Sequence, residues 1–156
     1  PGDSINQLYK EDILVGYRWH DTKAIEPLFP FGFGLSYTDF SLSEIETDRK
    51  SYIASDKLTV NITVTNEGGL EGADVVQVYV GKPNSIVKRA IKELKGFQKV
   101  FLKKGESRQI SIILNINALT YYDEISSEWV LEKGDYYVYV GNSSDNISKR
   151  IKIKVD

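Results

Sequence analysis

The stretch L-T-V-N-I-T-V-T at Leu58–Thr65 alternates apolar and polar residues without a break. Leu58, Val60, Ile62 and Val64 fall on one side, and Thr59, Asn61, Thr63 and Thr65 on the other. A period of two turns one row toward a core and the other toward water, which is the mark of a half-buried strand. Asn66-Glu67-Gly68-Gly69 then ends it with turn-forming residues. The same texture recurs on both sides. Phe40, Leu42 and Ile45 mark an earlier strand. Val76, Val78 and Val80 alternate with Gln77 and Tyr79 and stop at Gly81-Lys82-Pro83-Asn84. Ile110, Ile112 and Leu114 mark a further strand, and Glu128–Leu131 and Asp135–Val140 flank Glu132-Lys133-Gly134 as the arms of a hairpin would. Ile151, Ile153 and Val155 alternate with Lys152 and Lys154 at the end. Strands recurring between turn signals, with no helix separating them, predict an all-β sandwich.

The segment Ile86–Leu102 fits this pattern least well. Ile86, Ala90, Ile91, Leu94, Phe97 and Phe101 lie close to helical spacing, with basic residues on the other side. Periodicity alone describes an amphipathic helix. Gly96 within it costs a helix about 1 kcal/mol. The same glycine suits a bulged strand that turns both Leu94 and Phe97 inward.

Before the sandwich comes E-P-L-F-P-F-G-F-G-L-S-Y-T at Glu26–Thr38. Its prolines fix φ and remove amide donors, and its glycines open backbone angles that other residues resist. Phe29, Phe31 and Phe33 alternate with Pro30 and Gly32. Flexible linkers are polar and carry no such rings, and so much exposed ring surface is costly in water. The stretch therefore reads as an extended, packed joint. Further upstream, Ile13-Leu14-Val15 with Tyr17 and Trp19 make a short apolar segment consistent with one strand, after a turn at Pro1-Gly2-Asp3.

Composition bounds the function. The chain has 156 residues, 41% of them hydrophobic and 12% aromatic, enough for one packed domain with an appendage. The formal charge of −2 gives no electrostatic reason to expect nucleic acid or an anionic membrane as partner. Cysteine is absent, and one histidine, His20, cannot build a histidine-rich metal site alone. No apolar run reaches the roughly 18 residues of a membrane span. With Pro1 first and no methionine at all, the chain reads as a piece of something larger or a processed product.

Several motifs together carry a family resemblance. Tyr9-x-Glu11, then G-Y-R-W-H-D at Gly16–Asp21, then Ile25–Thr38, K-E-L-K-G-F-Q-K-V at Lys92–Val100, L-K-K-G-E at Leu102–Glu106 and G-D-Y-Y-V-Y-V-G at Gly134–Gly141 follow one another in order. In this collinear combination the chain resembles the C-terminal part of family 3 glycoside hydrolases. The resemblance implies an immunoglobulin-like, fibronectin type III-like β-sandwich over residues 38–156. Residues 1–37 would be the tail of a preceding α/β sandwich domain plus the joint, an extended N-terminal arm cut from its sheet. It also implies a strand at Lys92–Val100, and an enzyme that cleaves terminal β-linked glucosides or xylosides. The family's aspartate nucleophile and glutamate acid/base belong to upstream domains. Neither motif occurs here, so no catalytic residue carries over, no cofactor is expected, and carbohydrate substrate would be met only through those domains.

Glycosidases work with paired carboxylates, and Glu44/Glu46, Glu67/Glu71 and Asp123/Glu124 are the pairs available. Each falls on a strand face or turn, where acidic residues ordinarily face water. Arg18, Trp19, His20 and Asp21 look like a site cluster, but no activated nucleophile accompanies His20. Arg18 and Asp21 read as polar contacts within the missing α/β domain. Tyr121, Tyr122, Trp129, Tyr136, Tyr137 and Tyr139 suggest ring stacking on sugars. Alternation divides Tyr136–Tyr139 between core and surface, and Trp129 reads most simply as a core or inter-sheet anchor. The sequons Asn61-Ile-Thr, Asn142-Ser-Ser and Asn146-Ile-Ser would accept glycans only in a secreted eukaryotic setting. The basic run Lys88–Lys104 reads as a charged strand face that discourages edge pairing.

The residues expected to matter are those of the domain joint: Tyr17, Trp19, Phe29, Phe31, Phe33 and Tyr37. The expected role is structural, buttressing catalytic domains of the same polypeptide. The competing reading is an independent carbohydrate- or protein-binding module without an attached enzyme. An unpaired strand at Ile13–Tyr17 would also be a template for a homodimer that exchanges N-terminal arms.

Overall fold

In the computed structural model, which describes residues 5–6 and 10–156, a helix α1 (Tyr17–Lys23) precedes eleven strands. These are β1 (Phe40–Leu42), β2 (Glu46–Thr47), β3 (Ser51–Tyr52), β4 (Lys57–Asn66), β5 (Gly72–Gly81), β6 (Glu93–Leu102), β7 (Ser107–Asn115), β8 (Tyr121–Asp123), β9 (Glu128–Val130), β10 (Gly134–Gly141) and β11 (Ile147–Val155). In the first sheet β7 pairs with one side of β4, and β1 and β2 share the other side. The second sheet runs β3-β11-β10-β5-β6. A separate ribbon pairs β8 with β9. The expected all-β sandwich is the fold observed.

The alternation in β4 is realised residue for residue. Leu58, Val60, Ile62 and Val64 are buried and oppose Leu114, Ile112, Ile110 and Arg108 of β7. The second sheet supplies Val76, Val78 and Val80 from β5, Tyr136, Val138 and Val140 from β10, and Ile153 and Val155 from β11 to the same core. Burying one such side chain is worth roughly 1.5–3 kcal/mol, so this shared layer supplies the main favourable term of the fold.

Strand β6 confirms the strand reading of Lys92–Val100 and adds a correction. Its register against β5 shifts between Val78 and Tyr79, so that Gly96 faces Val78, Leu94 faces Tyr79, and Lys95 is the extra residue. The bulge does put Leu94 and Phe97 on one face, but it is the outer face, beside Tyr79 and Gln77. Phe97 and Phe101 are exposed, while Val100 and Leu102 are buried. Gly96 points inward, where an added Cβ would lie 2.7 Å from Ile112 Cγ2 and 2.7 Å from Leu114 Cδ2.

Other expectations also change. Glu128–Leu131 is no arm of a hairpin with β10; β9 pairs with β8, and β10 pairs with β11 and β5. The reason is Glu132. Its buried carboxylate accepts Ser85 Oγ at 2.7 Å and the Ile86 amide at 3.0 Å. The chain is thus drawn to the Lys82–Ile86 loop before β10 begins. The strand expected across Ile13–Trp19 is absent. Residues 10–13 turn, Gly16 adopts φ 64°, and Tyr17 begins a helix. The turn expected at Pro1–Asp3 lies outside the described residues.

Candidate interdomain joint

The outer face of β5 decides how the first part of the chain is held. An alternating strand at a sandwich surface should leave Gln77 and Tyr79 in water, yet both are buried. The covering comes from residues upstream. The Tyr17 ring meets Tyr79 edge-on at 5.9 Å and stacks on Phe31 at 4.9 Å. Tyr79 donates to Gln77 Oε1 at 2.5 Å, and Gln77 Nε2 donates to the Asn142 carbonyl at 2.5 Å. Burial, reinforced by the nearby Tyr17 and Asp21, pushes the Tyr79 hydroxyl well above the ordinary tyrosine range, which keeps it a donor. Gly32 turns at φ 81° directly over Gln77, where a Cβ would lie 2.3 Å from Nε2. No other residue type fits that approach without moving Gln77.

Helix α1 docks by polar contacts at helical spacing. The Leu94 amide donates to Tyr17 Oη at 2.8 Å, and Arg18 Nε lies 3.4 Å from Glu93 Oε1. Lys92 Nζ meets Asp21 Oδ2 at 2.6 Å, and the Ile91 amide donates to Thr22 Oγ1 at 3.2 Å. Residues 17, 18, 21 and 22 share one face of a 3.6-residue helix, and they meet the chain at 94, 93, 92 and 91 in turn. A strand would send Tyr17 and Arg18 to opposite sides. The expectation that Arg18 and Asp21 serve a missing domain is therefore corrected: both are engaged by this sandwich. His20 Nδ1 lies 3.1 Å from the Ile25 carbonyl, and the Lys23 ammonium sits 5.3 Å above the Trp19 ring.

The joint itself is fastened along its backbone. The Ser144 amide donates to the Phe31 carbonyl at 2.8 Å, and the Phe33 amide closes a turn on the Pro30 carbonyl at 3.0 Å. At its end Thr38 Oγ1 donates to Asn66 Oδ1 at 2.6 Å. Asn66 is fully buried and satisfied, donating to the Leu70 carbonyl at 2.7 Å and the Leu102 carbonyl at 3.2 Å. The side chains point the other way. Leu28 is 89% exposed, Leu35 91% and Tyr37 96%, and Phe29 and Phe33 are exposed with ring centres 5.5 Å apart. A backbone strapped to the sandwich thus presents a run of exposed apolar side chains on its outer side.

The remaining candidates are dispersed. Glu44 pairs with Lys149, Glu67 accepts from Ser41, and Asp123 accepts the Ser126 amide and hydroxyl. Those donors hold the Asp123 carboxyl below its ordinary range, the opposite of what a general acid needs. Among the described residues no group of histidine, cysteine and carboxylate side chains could hold a metal ion. Tyr136 is buried and Tyr137 and Tyr139 half-buried, as alternation divides them. Trp129 is a correction: it is 70% exposed on the β8–β9 ribbon, edge-on to Tyr122, because β9 leaves the sandwich. Asn61, in the first sequon, accepts from Ser111 Oγ across the strands. What sequence reasoning missed was Gln77 and Tyr79 as the seat of the joint; a polar residue and an aromatic on the nominally wet face of β5 were the available signal.

The comparisons agree with this architecture. Residues 74–144 match the family model described as a fibronectin type III-like domain. The chain is 42% identical over 156 residues to Thermostable beta-glucosidase B of Acetivibrio thermocellus, covering 100% of this chain and 21% of that protein. It is 43% identical over 150 residues to Probable beta-glucosidase H of Neosartorya fischeri, covering 96% of this chain and 18% of that protein. Among solved structures, DesR, a beta-glucosidase from Streptomyces venezuelae in complex with D-glucose, matches with a TM-score of 0.91 at 36% identity, covering 100% of this chain and 20% of that one. A beta-glucosidase from Kluyveromyces marxianus matches with a TM-score of 0.88 at 42% identity, covering 96% of this chain and 18% of that one. The chain spans about one fifth of the length of the curated relatives it matches. A fibronectin type III-like domain thus matches at residues 74–144, and along its whole length the chain is similar to part of the β-glucosidases named above.

Proposed function

We propose that this chain acts as the structural C-terminal part of a family 3 β-glucosidase-like enzyme that hydrolyses terminal β-linked glucosides or xylosides, with the chemistry in upstream domains. The observation that carries this is the one-sided joint. Its backbone is bound to the sandwich through Phe31 and Thr38, while Leu28, Phe29, Phe33, Leu35 and Tyr37 face outward. Tyr17 and Phe31 hold the arm to the sandwich, Trp19 flanks it on α1, and Phe29, Phe33 and Tyr37 are the rings offered to the catalytic domains. The division at residues 37 and 38 separates this arm from the β-sandwich.

The arm-exchanged dimer has less support. It needed a free strand at Ile13–Tyr17, whereas the described residues there turn and lead into a helix that docks on its own sandwich. The independent-module reading would be favoured by a chain whose outward joint residues tolerate polar replacement. The test is to prepare the enzyme with its preceding domains and replace Leu35 and Tyr37 by serine. Loss of thermal stability and aryl β-glucosidase activity together is expected, with the 156-residue chain alone inactive. Unchanged stability and activity in the double variant would overturn the buttress.

A further inference from the structure

A cleft of about 610 Å³ opens between the β8–β9 ribbon, residues 87–90 and α1. Its lining brings the cations of Arg18, Lys88 and Arg89 together with the carboxylates of Asp12, Glu93, Asp123 and Glu124. Tyr122 and Trp129, cross-strand partners with ring centres 5.6 Å apart and both exposed, also line it.

The charge balance selects the ligand class. Arg18 lies 3.4 Å from Glu93, Arg89 3.9 Å from Glu132, and Lys88 2.8 Å from Asp12, so each cation of the cleft already faces a carboxylate. An anion would bring a further negative charge to a site whose cations are matched. A neutral polyol has no such conflict. Its hydroxyls accept from the guanidinium N–H groups and donate to the carboxylates, and the C–H face of a pyranose ring covers exposed aromatic surface. The volume is that of a small-molecule site.

We propose that this cleft binds a short neutral oligosaccharide, with Trp129 as the stacking platform and the Arg18–Glu93 and Lys88–Asp12 pairs exchanging hydrogen bonds with its hydroxyls. The site binds without catalysis, since Asp123 is spent on its own turn. The proposal is independent of the joint, so either can fail alone.

The test is titration of the 156-residue chain with cellotriose, read by tryptophan fluorescence and calorimetry, with D-glucuronate as the anionic comparison. Saturable millimolar binding of cellotriose is expected, weakened about tenfold or more in Trp129→Ala, the loss of roughly one stacking contact, and unchanged in Trp19→Phe. Tyr122→Ala gives a second route should Trp129→Ala alter the melting temperature, and it too should weaken binding. No saturable response to cellotriose, equal affinity in both ribbon variants and parent, or tighter binding of glucuronate would each overturn the proposal.

Discussion

Asp21 and Lys92 meet at 2.6 Å with side chains only 12% and 11% exposed, and this pair fixes a helix from the first part of the chain to the edge of the sandwich. The ammonium also lies 5.9 Å above the Tyr79 ring. Removing one member of a mostly buried pair strands the other, a cost of about 3 kcal/mol. Asp21→Ala is expected to lower unfolding free energy by about that amount, and pairing it with Lys92→Met should restore most of it. Denaturant titrations of parent, single and double variants measure both quantities.

Truncation follows from the same docking. With α1 free, removing residues 1–24 would leave the melting temperature near the parent's. The structure argues otherwise, because Leu14 is buried and Tyr17 covers Tyr79. Loss of two such side chains should destabilise by roughly 3–6 kcal/mol as an upper bound. Removing residues 1–37 should cost more, since Gly32 and Phe31 also leave the Gln77 surface. Calorimetric melting of the two truncations beside the parent checks the order; a parental melting temperature after removal of 1–24 would show that α1 contributes nothing.

Gly96→Ala should destabilise. Gly96 does not have a positive φ, so the cause is packing: the new methyl enters the space of Ile112 and Leu114 between the sheets. Overpacking of this kind costs about 1–3 kcal/mol. A helix at this position would instead gain about 1 kcal/mol from the same change, so the sign of the melting shift is informative.

Asp48 predicts an acid-sensitive corner. Burial alone would raise its carboxyl, but the Thr59 amide at 2.8 Å, the Tyr52 hydroxyl at 2.9 Å and Arg49 Nε at 3.2 Å outweigh it and hold it below the ordinary range. The folded value is depressed, so the stability it contributes is present above the unfolded value of about 4 and is lost as pH falls through the folded one. Asp48→Asn should be less stable than the parent at neutral pH and decline less steeply below pH of about 4. Urea midpoints measured across that range compare the two slopes.

The sequence by itself determined the sandwich core. Alternation in β4, β5, β10 and β11 assigns Leu58–Val64, Val76–Val80, Tyr136–Val140 and Ile153–Val155 to the interior, because a strand's period of two writes its buried face directly into neighbouring residues. The prolines, glycines and phenylalanines of 26–38 marked an extended connector, but not that its backbone would be strapped to the sandwich while Phe29, Phe33 and Tyr37 stay exposed. Tertiary structure decided what covers the outer faces. Tyr17–Lys23 becomes a helix because 17, 18, 21 and 22 find partners at 94 to 91, and Gln77 and Tyr79 are buried because Tyr17, Phe31 and Gly32 arrive above them. Glu132 pulls β9 away from β10 and leaves Trp129 exposed. Periodicity reports which face of an element is apolar; which distant segment closes over the other face is set by shape and hydrogen bonding between residues far apart in the chain.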